Sequence, residues 1–277
     1  MGSLLVKTMH ISILGCGWLG LPLAQALLKR GHIVKGSTTR EEKIATLEEG
    51  GITPYLIRFS PQINDGYRAD FFESEVLIVN VPPKRSEEAA KEYPRQIASL
   101  LRIIETSSVK RVLFVSSTSV YPNLNRPVRE SDTSEEVKAS GRVLLTAERM
   151  IQEHPGIQTT VLRFCGLFGP DRNPGRFLAG KTLPGSGQMS VNMIHLDDCI
   201  AIIVKILEQN VWGEVFNACA DEHPTKEDFY GVAARQLGFD APQFAATEAD
   251  AYKVVDSTKL KEKLKYQFKY PNPKDAL

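Results

Sequence analysis

Short apolar, β-branched runs recur along the chain at 10–14, 32–36, 54–59, 76–81, 111–116 and 158–164. Stretches of helical period lie between and after them, at 18–30, 41–50, 94–107, 135–153, 198–209 and 225–237. Val76-Leu77-Ile78-Val79 and Val112-Leu113-Phe114-Val115 are continuous apolar runs rather than alternating ones, which is the pattern of parallel strands covered on both faces. Strands joined by helical crossovers predict an α/β chain with a doubly wound parallel sheet. Beyond Cys165 glycines and prolines crowd together (Gly166, Gly169, Pro170, Pro174, Gly175), predicting long loops as far as 192. The expected division is a nucleotide-binding core over 1–165 and a mixed segment over 166–277 that returns to the core and forms a small C-terminal substrate lobe.

Gly15-Cys16-Gly17-Trp18-Leu19-Gly20 follows the first apolar run and opens the first helical stretch. A G-x-G-x-x-G turn in that place is the entry unit of a Rossmann-type, dinucleotide-binding fold. Gly15 is expected to make the tight turn, Gly17 to let the backbone approach a pyrophosphate, and Gly20 to let the helix pack on its strand. The helix N-terminus around Trp18 and Leu19 offers N–H groups and a positive dipole end to phosphates, with Trp18 packing over the dinucleotide. Pro22 is tolerated because a missing N–H matters little near a helix start.

The second run ends in Ser37-Thr38-Thr39-Arg40, with no acid ahead of the arginine. In this fold an acid there binds the ribose 2′-OH of NAD, whereas an arginine accommodates a 2′-phosphate. Arg40, with Thr38 and Thr39 as hydroxyl donors, therefore favours NADP(H) over NAD(H). The alternative is that Arg40 pairs with Glu41 or Glu42.

Composition narrows the partners. Lys+Arg 34 against Asp+Glu 33 gives a net charge of +1, so nothing suggests nucleic acid or an anionic membrane surface. No apolar run approaches the roughly 20 residues needed to span a bilayer. Met1 to Thr8 is too weakly apolar for a secretory signal, and whether Met1-Gly2-Ser3 is an added leader ahead of Met9 stays open. The 4 cysteines form no C-x-x-C pair and the 5 histidines show no ligand spacing. Reduced thiols, a cytoplasmic location and no metal site are expected.

Four further segments carry a family resemblance. They are Val115-Ser116-Ser117-Thr118-Ser119-Val120-Tyr121, Leu162-Arg163-Phe164-Cys165-Gly166-Leu167-Phe168-Gly169-Pro170, Val191-Asn192-Met193-Ile194-His195-Leu196-Asp197-Asp198 and Gly213-Glu214-Val215-Phe216-Asn217. In this order they resemble the S-S-x-x-V-Y, R-x-x-G-x-Y-G-P, N-x-I-H-x-x-D and G-x-x-Y/F-N stretches of the extended short-chain dehydrogenase/reductase family, which includes nucleotide-sugar epimerases and dehydratases. The resemblance implies that Ser117 hydrogen-bonds the reacting oxygen and that Ser116 stands beside the cofactor. Ser140 and Leu144 occupy the places of the family's Y-x-x-x-K pair, so the chain resembles atypical members that lack both groups. Without the tyrosine, Tyr121 is a candidate surrogate acid, or else packs at the strand end. Tyr270 and Lys274 also read Y-x-x-x-K, but Pro271 and Pro273 bar that segment from a helix.

Further candidates each carry a plainer alternative. Pro82, with Pro83, walls the nicotinamide ribose or makes a simple turn. Arg163 binds an anionic substrate or forms a structural ion pair. Asn192 and His195 contact substrate, or His195 is a hydrogen-bonded residue ahead of a helix capped by Asp197 or Asp198. Lys84-Arg85 and Arg172 border the mouth or are solvated. The resemblance also implies homodimers formed through the helices at 94–107 and 135–153. The expected function is an NADP(H)-binding oxidoreductase or epimerase-like enzyme acting on a small polar metabolite or nucleotide sugar. The alternative is a non-catalytic NADP(H) sensor or regulatory protein.

Overall fold

A computed structural model describes residues 7–61, 68–84, 87–245 and 251–277, the backbone alone at 87–90. Arg85 and Met1-Gly2-Ser3 lie outside the described residues. In chain order the framework is β1 (His10–Leu14), α1 (Gly20–Leu28), β2 (Ile33–Thr38), α2 (Ile44–Glu49), β3 (Thr53–Leu56), β4 (Val76–Val79), α3 (Glu87–Glu105), β5 (Arg111–Ser117), α4 (Ala139–Gln152), β6 (Gln158–Phe164), α5 (Leu196–Gln209) and β7 (Val215–Ala218). The sheet is 7-stranded, in the order β7-β6-β5-β4-β1-β2-β3. Reading outward from β1, it places β2 and β3 on one side and β4 to β7 on the other, the doubly wound arrangement. The pairings of β1 with β2 and β4, of β2 with β3 and of β4 with β5 are parallel.

The continuous apolar strands are covered on both faces: Val76 to Val79 and Val112 to Phe114 are all 0% exposed. On α1, Leu23, Ala24 and Leu27 turn into the core at helical spacing. Helix α3 starts two turns earlier than the sequence pattern suggests and carries Pro94 inside it. A proline reads as a helix start, but here Tyr93, just before it, is buried and anchors the preceding turn. The stretch expected as one helix over 41–50 opens instead as a 3-10 turn, Glu41–Lys43, before α2.

The chain divides into two compact units. Unit 1 comprises the chain up to Val120 together with Val137–Leu162 and Ile203–Val215; unit 2 comprises Tyr121–Glu136, Arg163–Ile202 and Phe216–Leu277. Residues 121–136 group with the later segments, and Ile203–Val215 with the earlier ones. Unit 2 has its own apolar cluster of Phe168, Val191, Met193 and Phe229. The stretch read as loops over 166–192 contains the strands Gly166–Phe168 and Thr182–Pro184 and the short helix Pro174–Leu178. All four cysteines are free and buried. Among the described residues no helix is long and apolar enough to cross a membrane, and no group of three His, Cys, Asp or Glu is placed to hold a metal ion.

Candidate functional site

The glycine turn is fixed from both sides. Gly15 has φ +104°, and a Cβ there would stand 2.7 Å from the Asn80 carbonyl oxygen and 2.9 Å from Val81 Cγ2. Conformation and space therefore both require glycine. Its N–H donates to Ser37 Oγ at 2.9 Å, the Cys16 N–H donates to the Ser37 carbonyl at 2.7 Å, and Asn80 Nδ2 donates to the Gly15 carbonyl at 3.0 Å. At Gly20 a Cβ would lie 2.2 Å from the Gly15 oxygen, so the helix start is pressed onto the turn. Gly17 differs: it is exposed, and a Cβ would meet nothing within 4 Å. That open side is compatible with a phosphate. Leu19, the N-cap residue of α1, supplies no side-chain cap, and the first turn carries no acid. The dipole end is thus left uncompensated by the chain. Trp18 is half-buried beside it.

A cavity opens from this turn, lined by Leu14 to Gly17, by Ser37 to Arg40 with Lys43, and by Ile57, Phe59 and Asn80 to Pro82. Among the described residues no carboxylate lines it. The Arg40 N–H donates to Thr38 Oγ1 at 3.2 Å, which sets an extended backbone (φ −117°, ψ 121°) and leaves the guanidinium exposed. Thr38 is buried and its hydroxyl is engaged in this turn, while Thr39 is exposed. The alternative pairing of Arg40 with Glu41 or Glu42 does not occur; no ion pair joins them. Helix α3 holds the far wall: Gln96 Nε2 donates to the Phe59 carbonyl at 3.0 Å and Tyr93 Oη to the Val81 carbonyl at 2.6 Å. Burial pushes the Cys16 thiol up to about 12, opposed by its bond to the Ser37 backbone and by the Lys43 charge.

Sequence reasoning missed Lys43, Ser37, Asn80 and Phe59. Asn80 left a usable signal, as a polar residue closing the all-apolar β4. Lys43 left another, three residues after Arg40.

At the end of β5, Ser116 is buried and donates its hydroxyl to Glu148 Oε1, itself buried on α4. Ser116, expected beside the cofactor, is thus engaged with α4. Ser117 is half-buried and accepts the Ser119 N–H at 3.2 Å, and among the described residues its own proton has no acceptor. On α4, Ser140 is exposed and Leu144 is buried, and the helix contains neither tyrosine nor lysine.

Within unit 2 the remaining candidates are tied into the fold. Tyr121 is 2% exposed; its hydroxyl donates to Asn217 Oδ1 at 2.6 Å and accepts from Arg163 Nη1 at 2.7 Å. A phenol whose single proton is held there has none to deliver elsewhere, so the packing alternative is the one this geometry fits. Arg163 is 5% exposed and also donates to the Glu130 carbonyl at 2.8 Å. Both of these bonds tie its guanidinium into a buried network. Asn192 bridges the Lys253 carbonyl at 2.9 Å and the Val255 N–H at 2.8 Å. His195 Nδ1 accepts the Asp197 N–H at 3.2 Å, and its ring lies edge-on to Phe168 and Tyr270. Tyr270 and Lys274 have separate partners, Asp197 and Asp228. Lys84 and Arg172 are exposed.

Comparison with known proteins places this geometry in context. The model of the NAD dependent epimerase/dehydratase family matches residues 11–219. Protein YeeZ of Escherichia coli (strain K12) is 36% identical over 267 residues, covering 95% of this chain and 97% of that protein. UDP-glucuronic acid 4-epimerase from Bacillus cereus, solved in complex with NAD, superposes with a TM-score of 0.80 at 20% identity, covering 97% of this chain and 95% of that one. A functionally unknown conserved protein from Silicibacter pomeroyi gives a TM-score of 0.77 at 23% identity, covering 97% and 96%. These structural likenesses show the Rossmann-like α/β fold.

Two outcomes follow within unit 2. Tyr121→Phe removes a bond to each of two buried partners, so urea unfolding should show a loss of about 1–3 kcal/mol while dinucleotide affinity is unchanged. A variant with full stability and lost turnover would instead make Tyr121 an acid. Burial, opposed by Asp197 and Asp198 and helped by Lys269, holds the His195 pKa below its ordinary 6.5, and burial lowers that of His223 too. A folded-state pKa below the unfolded one means that the unfolded chain takes up protons first as pH falls. The stability these rings contribute is complete above 6.5 and lost as pH falls through 6.5 toward the folded values. Thermal melts should be flat above that pH and decline below it, by at most about 1.4 kcal/mol per pH unit for each ring. His195→Asn should make the decline shallower; an unchanged decline would remove His195 from the account.

Proposed function

Since the chain belongs to the NAD dependent epimerase/dehydratase family, we propose that it binds NADP(H) and acts as an oxidoreductase or epimerase-like enzyme on a small polar metabolite or nucleotide sugar. The observation that carries the cofactor reading is the lining of the cavity at the end of β2: Arg40 stands there, and among the described residues no carboxylate does. A 2′-phosphate would be repelled by an acid at this place and is gripped by a guanidinium. The structural neighbour from Bacillus cereus was solved with NAD. Charge at the cavity favours the phosphorylated form here.

The residues fit such a dinucleotide. Gly17 leaves an open side where a Cβ would touch nothing, and the N–H groups opening α1 lack a side-chain cap. When bound, the dinucleotide supplies the hydride or accepts it. The chain's own part is to seat the pyrophosphate on the α1 N-terminus and to hold the ribose end between Arg40 and the wall at Ile57 and Phe59. Ser117 donates its hydroxyl proton in a hydrogen bond to the reacting oxygen. It lies at the carboxyl edge that β5 shares with its parallel neighbour β4, where Asn80 to Pro82 wall the cavity. The four free, buried thiols fit a reducing compartment, the cytoplasm on this reading.

A second reading is favoured by α4, which contains neither tyrosine nor lysine; on the resemblance, Ser140 and Leu144 stand where that pair is expected. It makes the protein a non-catalytic NADP(H) sensor. Ser117→Ala separates the two: the enzyme reading expects kcat to fall 10-fold or more, on the scale of one lost oxygen ligand. The sensor reading expects NADPH to stay unoxidised across a panel of carbonyl compounds and nucleotide sugars, with no more than affinity changed. For the cofactor, calorimetric titration of Arg40→Asp should show NADPH weakened by about 1.5–3 kcal/mol and NADH hardly affected. Equal losses for both would contradict the role given to Arg40.

A further inference from the structure

We propose that Lys43 is a second specificity-determining residue, supplying the charge that completes recognition of the cofactor's 2′-phosphate; this rests on the NADP(H) reading given above. The placement follows from the local backbone. The Lys43 N–H donates to the Arg40 carbonyl at 3.2 Å, closing the 3-10 turn Glu41–Lys43 on its N-cap residue Arg40. That bond keeps Lys43 one short turn from Arg40 on the chain that leaves β2.

Arg40 and Lys43 both line the cavity beside the glycine turn, whereas Glu41 and Glu42 do not. Lys43 is half-buried and, among the described residues, forms no ion pair with a carboxylate. Its charge also acts on the Cys16 thiol, which is part of the same cavity lining.

Charge balance gives the reason for two cations. A phosphate monoester carries close to two negative charges at neutral pH. One guanidinium compensates half of that, and the Thr38 hydroxyl, which accepts the Arg40 N–H and donates to the Arg40 carbonyl at 3.5 Å, carries no charge. Lys43 provides the remaining charge as a compact, rotatable donor.

The test uses the intact chain and two redox-inert probes, adenosine 2′,5′-bisphosphate and adenosine 5′-diphosphate, titrated by calorimetry. The wild type should prefer the 2′-phosphorylated probe. Lys43→Met should weaken that probe by on the order of tenfold, the scale of a charge-assisted hydrogen bond, and leave the other unchanged. Lys43→Arg should retain the preference, which guards against a variant that merely folds badly, and Glu42→Gln should change nothing. If Lys43→Met keeps the full preference, or weakens both probes equally, the assignment of Lys43 is overturned while the NADP(H) reading stands. If the wild type shows no preference, both fall together.

Discussion

Three strand ends meet at Gly15, and the turn there is held by each of them. Ser37 from β2 accepts its N–H, Asn80 beyond β4 donates to its carbonyl, and the packing is close enough that a single methyl would collide at 2.7 Å with the Asn80 oxygen. Since sheet strands are covered on both faces, none of them can shift to relieve such a clash without disturbing a close-packed interior. The same contacts that shape the turn therefore fix where β2 leaves the sheet, and with it the place of Arg40 and Lys43. Gly36 repeats the constraint one layer down. A Cβ there would meet the Cys16 sulfur at 2.6 Å, so the floor of the cavity and the strand beside it are fitted to each other.

The two units use their polar groups differently. In unit 1 the chemically useful ones remain available: the Arg40 guanidinium, the Lys43 ammonium and the Ser117 proton have no acceptor among the described residues, and the α1 N-terminus carries no side-chain cap. In unit 2 the polar side chains that sequence alone would offer to a substrate are satisfied internally. Arg163, Tyr121 and Asn217 form a buried chain of hydrogen bonds, and Asn192 ties two backbone groups of residues 253–255. A buried arginine needs such partners, because an unpaired charge in a core costs several kcal/mol. These residues are positioned by stability first.

That contrast also explains what the sequence could disclose. The parallel strands were legible because Val76 to Val79 and Val112 to Phe114 have no polar face to lose, and Gly15 and Gly20 were legible because local geometry demands them. Arg40 was legible because its place at a strand end carries a chemical rule independent of long-range packing. Lys43 was not, since the helical period at 41–50 gives no sign that its first turn stands in the cavity lining beside Arg40. Asn80 and Phe59 join the cavity only through the sheet order, which no local pattern encodes. Tyr121 and Arg163 are 42 residues apart along the chain, so neither one's neighbours announced that the other satisfies it.

The chemistry left at β5 sets a limit on what the proposed enzyme can do. A serine hydroxyl such as that of Ser117 can hydrogen-bond a developing alkoxide and stabilise it, because that requires only a donor in place. It cannot hand over its proton at neutral pH, since its acidity is far from the range in which general acids work. The resemblance implies a tyrosine and a lysine for this step, at the places where this chain carries Ser140 and Leu144, and α4 contains neither residue type. Turnover on the proposed reading therefore depends on a proton arriving from solvent or from the substrate itself. Substrates with a hydroxyl beside the reacting carbon, as polar metabolites and sugars have, meet that need better than an isolated ketone would. On this reading the enzyme gives up rate at the proton-transfer step while keeping full orientation of the hydride.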